Sequence, residues 1–301
     1  MKNVLVIGSI NIDMVIETEK VPQMGETLTG SGFLTTPGGK GANQAVASAR
    51  LGNPTRMIGR VGSDIYGGLL LDNLKSYGVD TCGIQVSEGE SGVAVITVCH
   101  GDNYIILDQG ANAKVSRADI DANEGLLDWA DVVLFQFEIP VDTVAYAMRQ
   151  AKSHGCKVLL NPAPMKEFLA DLLQYADLFI PNQTEAALFL GRGIETLEEG
   201  KAAAAEIRAM GCGGCIITMG SLGCVYTDGI QTGTQDIFSV RVQDTTAAGD
   251  SFIAGLCAHL EQGLPQAVRY ASAVSALAVS KHGAQVSLPA KEEVEEFLRR
   301  Q

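Results

Sequence analysis

The stretch Asp244-Thr-Thr-Ala-Ala-Gly-Asp-Ser251 passes directly into an apolar helical pattern that begins at Phe252. Its small residues allow the backbone to turn tightly, so that successive amide groups point outward where the helix starts. Unpaired amides and the positive end of the helix dipole together form a site for an anion. The sequence therefore predicts an anion-binding turn at the start of this helix.

Asp250 is an unexpected residue in such a turn, because a carboxylate repels the anion that the neighbouring amides attract. Its presence is explained if it takes a proton from an incoming hydroxyl group during phosphoryl transfer. Aspartate is also a common N-terminal cap of helices. This stretch alone supports both interpretations, a general base and a helix cap.

The composition is that of an ordinary globular protein with an acidic balance. Of 301 residues, 46% are hydrophobic and 19% are charged, and 22 Lys and Arg stand against 35 Asp and Glu, which gives a net charge of −13. A negative field disfavours non-specific binding to nucleic acid or to an anionic membrane. We therefore expect small-molecule ligands, with any phosphate held locally by amides and a metal ion.

The sequence predicts a cytoplasmic protein. No apolar run reaches the roughly 18 residues of a membrane-spanning helix, and the residues around Lys2 lack the build of a signal peptide. Seven scattered cysteines do not resemble a disulfide framework. Cys212 and Cys215 have metal-site or redox spacing, but Cys215 opens a predicted strand, which favours buried structural thiols.

Short apolar strands alternate with helical patterns along most of the chain. The predicted strands are 4–8, 56–61, 132–136, 157–160, 178–180 and 215–219, and the predicted helices are 42–51, 67–77, 117–127, 141–154, 185–190 and 197–210. This alternation predicts an α/β fold with a doubly wound, mostly parallel sheet and helices on both faces. We predict one domain over residues 1–301, with the first strand continuing through 9–17.

Two segments, at about 12–36 and 83–110, interrupt this alternation. Both have strand-like patterns, and Gly101-Asp-Asn103 is typical of a turn. We predict that they form a small β-sheet lid inserted within the domain. Because the edges and apolar face of such a sheet are often covered by a partner, a homodimer through the lid is expected.

Polar residues follow the ends of several predicted strands. They are Asn11, Asp13, Glu138, Asn161, Asn182 and the run Thr218-Met-Gly-Ser-Leu-Gly223. The glycine-rich run Pro37-Gly-Gly-Lys-Gly-Ala-Asn43 also allows close backbone approach to a ligand. Ligands of parallel sheets bind beyond the carboxyl ends of the strands. The pattern therefore predicts one site that holds a small polar ligand at one end and a phosphate-bearing ligand at the other.

Five motifs, in collinear order over nearly the whole chain, resemble those of the PfkB carbohydrate kinase family. They are Gly8-Ser-Ile-Asn-Ile-Asp13, Gly38-Gly-Lys-Gly-Ala-Asn-Gln-Ala45, Asn161-Pro-Ala-Pro164, Pro181-Asn-Gln-Thr-Glu185 and Asp244-Thr-Thr-Ala-Ala-Gly-Asp250. The resemblance implies a doubly wound α/β domain with a β-sheet lid, and a phosphotransferase with an alcohol acceptor. One residue departs from the family pattern, since Ala247 stands where a glycine is usual.

The resemblance also implies a role for each site residue. Sugar binding falls to Asn11, Asp13, Gly39, Lys40, Asn43, Glu138 and Asp250. Asp250 is the catalytic base, and the anion hole is formed by the amides of Ala247, Ala248 and Gly249. Nucleotide binding falls to Asn182, Thr218, Gly220, Ser221, Gly223 and Gly249. Asn182 and Glu185 lie near Mg²⁺, and an activating K⁺ is held by Asp244, Thr246, Ala278, Lys281, Gly283 and Ser287.

The function that this resemblance implies is transfer of the γ-phosphoryl group of ATP to the 5-hydroxyl of D-ribose, which gives D-ribose 5-phosphate. Asn11 and Asp13 favour a sugar with a diol, but deoxyribose, another pentose or a nucleoside stays an alternative acceptor. A sugar- or nucleotide-sensing protein without catalysis is a further alternative. The intact Asp250 argues against it, because a sensor needs no base beside an anion hole.

Overall fold

The computed structural model describes residues 1–100, 102–165 and 170–301. Gly101, the first residue of the predicted turn, lies outside these ranges. None of the helices in the described ranges has the length and apolar character required to cross a bilayer.

The strands and α-helices follow one another in chain order. The strands are β1 Val4–Ile7, β2 Asn11–Thr18, β3 Ser31–Gly38, β4 Thr55–Gly62, β5 Val79–Ser87, β6 Gly92–Cys99, β7 Asp102–Asp108, β8 Val132–Phe135, β9 Lys157–Leu160, β10 Leu178–Phe179, β11 Gly214–Thr218, β12 Cys224–Thr227 and β13 Thr232–Gln235. The helices are α1 Lys40–Arg50, α2 Ile65–Ser76, α3 Arg117–Asp121, α4 Glu124–Trp129, α5 Val141–Ser153, α6 Gln183–Leu190, α7 Leu197–Ala209, α8 Ala248–His259, α9 Leu264–Val279 and α10 Lys291–Arg299.

The main sheet has nine strands in the order β13-β12-β11-β10-β9-β8-β1-β4-β5, and it is parallel from β11 to β5. One of its interior strands, β1, is fully buried on both faces. Val4 and Val6 pack in one hydrophobic core, and Leu5 and Ile7 pack in the core on the opposite face. Helices therefore cover both faces, and the predicted doubly wound α/β fold is confirmed.

The first strand ends earlier than predicted. β1 stops at Ile7, and β2, which starts at Asn11, belongs to a different sheet. Between them, the backbone N–H of Ile10 donates to Asn112 Oδ1 at 2.9 Å, and the Ile10 carbonyl accepts from Asn112 Nδ2 at 3.1 Å. Because these backbone groups bond to a side chain instead of a neighbouring strand, the main-sheet ladder is interrupted here.

A separate sheet of four strands, called the small sheet below, has the order β3-β2-β6-β7. It is mixed, since β2 pairs antiparallel with β3 and parallel with β6, while β6 and β7 are antiparallel. The predicted segment 83–110 begins too early, because β5 is the edge strand of the main sheet. A half-exposed edge strand of the main sheet alternates polar and apolar residues as a strand of the small sheet does. The sequence pattern therefore did not show that β5 belongs to the main sheet.

The helix predicted at 117–127 consists of two helices in the structure, α3 and α4.

Helix α8 begins abruptly after a residue in a left-handed conformation. Ala247 is its N-cap, with φ 60° and ψ 12°, and its carbonyl accepts a hydrogen bond from the amide of Ser251 at 2.9 Å. This region of backbone space favours glycine, and an L-residue in it costs about 1–2 kcal/mol. The turn therefore holds strain at the first amides of α8.

We predict that Ala247→Gly stabilises the fold by about 0.5–1 kcal/mol. Glycine adopts the left-handed conformation without the steric cost, although its more flexible unfolded chain offsets part of that gain. Urea unfolding of the two proteins measures the difference.

The matched control is Ala205→Gly, the same substitution at an exposed position in the interior of α7. There a right-handed conformation favours alanine, so we expect a loss of about 0.5–1 kcal/mol. If Ala247→Gly lowered stability as Ala205→Gly does, the turn would not be strained.

Candidate active site

A cavity of about 200 Å³ lies beyond the carboxyl ends of the main-sheet strands, at the start of α8. The strand ends contribute Asn161, Asn182 and Thr218 to its wall. The start of α8 contributes Ala247, Ala248, Gly249 and Asp250, and further polar residues of the wall are Lys40, Glu185 and Thr245. The residues predicted as base, anion hole and part of the nucleotide site therefore share one cavity.

A second cavity of about 500 Å³ adjoins the first one and shares Thr218, Ala248 and Gly249 with it. Gly220, Ser221 and Gly223, all predicted to contact a nucleotide, line it. The rest of its wall is mainly apolar: Ile237, Phe238, Val240, Val242, Phe252, Ala276 and Val279. An apolar cavity beside an anion-binding turn suits a nucleoside next to its phosphates. The sequence analysis missed segment 236–242, which carries no motif.

Asp250 is buried and held by side chains of α1. Its side chain is 7% exposed, Asn43 Nδ2 donates to its Oδ2 at 3.0 Å, and Gln44 Nε2 donates to its Oδ1 at 3.1 Å. Burial raises its pKa, while Lys40 and the two amide donors act in the opposite direction. The helix-cap interpretation is wrong, because Ala247 is the N-cap of α8 and the carboxylate of Asp250 bonds to another helix.

Glu138 collects hydrogen bonds from three neighbouring segments. Its Oε2 accepts from Ser9 Oγ at 2.6 Å, from Asn11 Nδ2 at 3.3 Å and from the backbone N–H of Lys40 at 3.2 Å. Lys40 is the first residue of α1, two residues before the predicted start, so Glu138 bonds to the N-terminal amide of that helix. A carboxylate is stabilised at this end of the helix dipole. The sequence analysis did not single out Ser9 for this role.

Asp13, on β2 of the small sheet, forms an acidic cluster with Glu138 and Asp250. It is 7% exposed, and burial together with Glu138 and Asp250 raises its pKa to about 7, although Lys40 acts in the opposite direction. Burial lowers the pKa of Lys40 in turn, but the surrounding carboxylates outweigh burial and raise it. These carboxylates are Asp250, Glu138, Glu185 and Asp13. The cluster therefore combines one ammonium group with several carboxylates.

Asn112, which the sequence analysis missed, fixes the orientation of Asn11. Its Nδ2 donates to Asn11 Oδ1 at 2.7 Å, while its Oδ1 accepts from the backbone of Ile10. The amide of Asn11 therefore turns its nitrogen towards Glu138. A Cβ at Gly92 would lie 2.1 Å from Asn112 Nδ2, so only glycine leaves room for this pair.

The glycine-rich loop before α1 packs directly against the acidic cluster. A Cβ at Gly38 would lie 2.0 Å from Asp13 Oδ2. Gly39 has φ 89°, and a Cβ there would lie 2.8 Å from the backbone nitrogen of Asn11. Close approach and a left-handed conformation thus both require glycine in this loop.

Asn182 and Glu185 form a capping box at the start of α6. Asn182 Oδ1 accepts from the amide of Glu185 at 2.8 Å, and Glu185 Oε2 accepts from the amide of Asn182 at 2.8 Å. Glu185 is buried, and burial raises its pKa. Both residues also line the smaller cavity. Sequence analysis placed them near magnesium, and the capping box fixes them in position at its wall.

The residues predicted to hold a monovalent cation are only partly brought together. Asp244 Oδ1 accepts from the amide and hydroxyl of Thr246, and its Oδ2 accepts from the amide of Gly283 at 2.9 Å. Ala278 precedes Val279, whose carbonyl accepts from the amide of Asp244. The side chain of Lys281 instead pairs with Glu293, and the hydroxyl of Ser287 bonds to the carbonyl of Ala284.

No cluster of three His, Cys, Asp or Glu side chains arranged for a metal ion occurs within the described ranges. Cys212 and Cys215 are 4% and 0% exposed, and burial raises the pKa of the Cys212 thiol to about 11. The interpretation of both as buried structural thiols agrees with this burial.

Known proteins resemble this chain over nearly its full length. Residues 1–291 match the pfkB family of carbohydrate kinases. The ribokinase of Bacillus subtilis is 38% identical over 302 residues, which cover 99% of this chain and 100% of that protein. The deoxyribokinase of Salmonella typhimurium is 36% identical over 302 residues, which cover 98% of each protein.

The solved structure of Arabidopsis thaliana ribokinase complexed with ribose and ATP has a TM-score of 0.90 to this chain. The two are 32% identical, and the match covers 99% of each. The collinear motifs, the doubly wound sheet and these full-length matches all indicate the same family. The protein belongs to the pfkB family of carbohydrate kinases.

Proposed function

We propose that this kinase transfers the γ-phosphoryl group of ATP to the 5-hydroxyl of D-ribose and so forms D-ribose 5-phosphate. One observation carries the proposal: the buried carboxylate of Asp250 shares a cavity with the first residues of α8 and interacts with the carboxylates of Asp13 and Glu138. The relatives named ribokinase, one of them complexed with ribose and ATP, support this choice of substrates.

Asp250 acts as the general base in this proposal. It accepts the proton of the attacking sugar hydroxyl, while the amides of Ala247 and Gly249 stabilise negative charge on the transferring group. The amide of Ala248, also predicted in the anion hole, already donates to the carbonyl of Thr245 at 3.2 Å. Burial raises the pKa of Asp250 and so makes its carboxylate a better proton acceptor. Asn43, which donates to Asp250, is also suited to contact the sugar beside it.

Asp13, Glu138 and Asn11 bind the sugar hydroxyls. Asp13 has two acceptor oxygens and suits two adjacent hydroxyls, whereas the fixed amide of Asn11 presents a donor. Gly39 and Lys40 complete this part of the site. Because Asn11 and Asp13 belong to β2, closure of the small sheet as a lid would bring them onto the sugar and exclude water.

ATP occupies the two adjoining cavities, with its nucleoside in the apolar one and its phosphates at the start of α8. Thr218, Gly220, Ser221, Gly223 and Asn182 line these cavities. Asn182 and Glu185 at the cavity wall would lie near a Mg²⁺ ion that accompanies these phosphates, and oxygen ligands of their kind suit this ion. When bound, Mg²⁺ neutralises phosphate charge.

A K⁺ ion bound at Asp244, Thr246, Ala278, Lys281, Gly283 and Ser287 would order the turn that precedes the anion hole. The carboxylate of Asp244 already joins Thr246 to Gly283, and carboxylate and carbonyl oxygens suit a hard cation. The side chain of Lys281 points to Glu293, so only its carbonyl is suited to this role.

The cytoplasmic location stays a prediction.

We predict that Asp250→Asn lowers kcat by about 10²- to 10⁴-fold, because the amide cannot accept the hydroxyl proton. Ribose binding should change little, since the other sugar contacts remain. A coupled assay of ADP formation measures kcat, and calorimetry measures binding.

The control is Asp72→Asn, which removes a carboxylate that is 83% exposed. It should leave kcat unchanged. Near-normal turnover by Asp250→Asn would rule out its assignment as the base.

We predict that D-ribose has the highest kcat/KM in a panel that also contains 2-deoxyribose, other pentoses and nucleosides. A site built to bind hydroxyls rejects a substrate that lacks one, so deoxyribose should fall behind by about tenfold or more. Rates should be higher in K⁺ than in an equal concentration of a bulky organic cation. If deoxyribose ranks first, the alternative acceptor is correct, and if no member yields ADP, the sensor alternative is favoured.

We also propose a homodimer through the small sheet. Val95 and Ile106 are paired on one face and are 44% and 73% exposed, and Tyr104 on the same face is 52% exposed. An apolar face of this kind is typical of an interaction surface.

Sedimentation equilibrium should therefore give twice the chain mass of 31.7 kDa. Ile106→Asp should give single chains, because it places a charge in the interface. The control is Ile230→Asp, at a 92% exposed position outside the small sheet. A native protein of single-chain mass would contradict the dimer.

A further inference from the structure

Two chains of side-chain amides end on the carboxylate of Asp250. In one, Gln136 Nε2 donates to Gln44 Oε1 at 2.6 Å, and Gln44 Nε2 donates to Asp250 Oδ1 at 3.1 Å. In the other, Gln285 Nε2 donates to Asn43 Oδ1 at 3.2 Å, and Asn43 Nδ2 donates to Asp250 Oδ2 at 3.0 Å. Each carboxylate oxygen is therefore the end of one chain.

The chain from Gln136 through Gln44 has a fixed direction. An ionised carboxylate only accepts hydrogen bonds. Gln44 must therefore present its NH₂ group to Asp250, which leaves its carbonyl for Gln136. Gln136 must then present its own NH₂ group, because a carbonyl there would face the carbonyl of Gln44.

Gln136 keeps this orientation at an energetic cost. Both Gln136 and Gln44 are 0% exposed. Gln136 Oε1 has no hydrogen-bond partner among residues 1–100, 102–165 and 170–301. A Cβ at Gly8 would lie 2.0 Å from this oxygen, so it packs against backbone. A buried polar atom without a partner destabilises a fold. Stability therefore does not explain why position 136 carries a glutamine, and its donating NH₂ group needs another explanation.

We propose that Gln44 is a positioning residue for Asp250, and that Gln136 acts through it by holding the Gln44 amide in the donating orientation. The inference rests on the proposed function, in which Asp250 is the base. Gln44 is fully buried and therefore does not touch a ligand in the cavity. It fixes the plane of the carboxylate from behind, so that one oxygen faces the incoming hydroxyl.

The charges around Asp250 explain why a hydrogen bond from the neutral amide of Gln44 matters for the pKa of Asp250. Burial raises the pKa of Asp250, and the ammonium of Lys40 together with the amides of Asn43 and Gln44 acts in the opposite direction. Among the residues that the structure describes, the other charged groups facing it are the carboxylates of Glu138, Asp13 and Glu185. A hydrogen bond to the ionised form favours that form. Without Gln44, Lys40 and Asn43 would be the described groups left to oppose burial and these carboxylates.

The first test is Gln44→Met, which keeps the length of the side chain and removes its amide. We expect kcat to fall about 10- to 100-fold, part of what a general base contributes, while KM for the sugar stays nearly constant. The acid limb of the pH profile of kcat should move to higher pH. The loss should therefore be smaller near about pH 9 than near about pH 6.

The second test is Gln136→Met, which also serves if Gln44→Met fails to fold. We expect a smaller loss of kcat with the same shift of the pH profile. Its thermal midpoint should change little, since the substitution removes the unpartnered oxygen of Gln136 but leaves the buried Gln44 Oε1 without its donor. The double variant should lose no more activity than Gln44→Met alone, because both residues act through one hydrogen bond.

The matched control is Ser48→Ala, also buried on α1, where its hydroxyl accepts from Thr55 Oγ1 at 3.1 Å. It should lower stability without moving the pH profile. A pH profile of Gln44→Met that matches the native one would overturn the inference. So would additive losses in the double variant, or losses of activity that only follow stability.

A ¹³C titration of the Asp250 carboxyl, assigned with Asp250→Asn, separates this inference from the proposed function. We expect the Asp250 pKa to be higher in Gln44→Met than in the native protein. If the native protein phosphorylates no pentose, the proposed function fails, while the titration still decides whether Gln44 tunes Asp250. An unchanged titration would overturn the inference even in an active kinase.

Discussion

The buried carboxylate of Asp250 is the group on which the other site residues depend. At 7% exposure its charge has lost most of its water, and such a loss must be compensated by hydrogen bonds or opposite charge. The compensation comes from α1, through Asn43, Gln44 and Lys40, which lie more than 200 residues earlier in the chain. The packing of α1 on α8 is thereby tied to the ionisation of one side chain.

The same requirement explains the mixture of charges in the cavity. Lys40 faces a cluster of carboxylates that together raise its pKa in spite of burial, while the pKa of Asp13 is raised to about 7. Hydroxyl groups of a sugar would donate to Asp13 and lower that pKa, and phosphate would approach the ammonium of Lys40. The charges are thus arranged for a polar neutral ligand beside an anionic one.

The sequence was sufficient where a local pattern decides the structure. Apolar runs predicted the buried strands, and polar residues after them, such as Glu138 and Asn182, lie at one edge of the main sheet. The sequence was insufficient where contacts between residues far apart in the chain decide the structure. β1 stops because Ile10 bonds to Asn112, 102 positions away, and Gln44 matters because its neighbour in space is Asp250. The roles of the site residues stay predictions, since geometry places a side chain without showing what it binds.

Three local costs occur in residues that lie close to Asp250 or connect to it through hydrogen bonds or charge. Ala247 is held in a left-handed conformation, Gln136 has a buried oxygen without a partner in the described ranges, and Asp13 is buried in a cluster of like charges. Elsewhere, β1 and the two cores follow ordinary rules of burial and alternation. Strain and poorly paired polar groups persist where surrounding structure enforces them, and they concentrate at functional sites. Their coincidence around Asp250 is therefore an argument for function that does not depend on resemblance to any other protein.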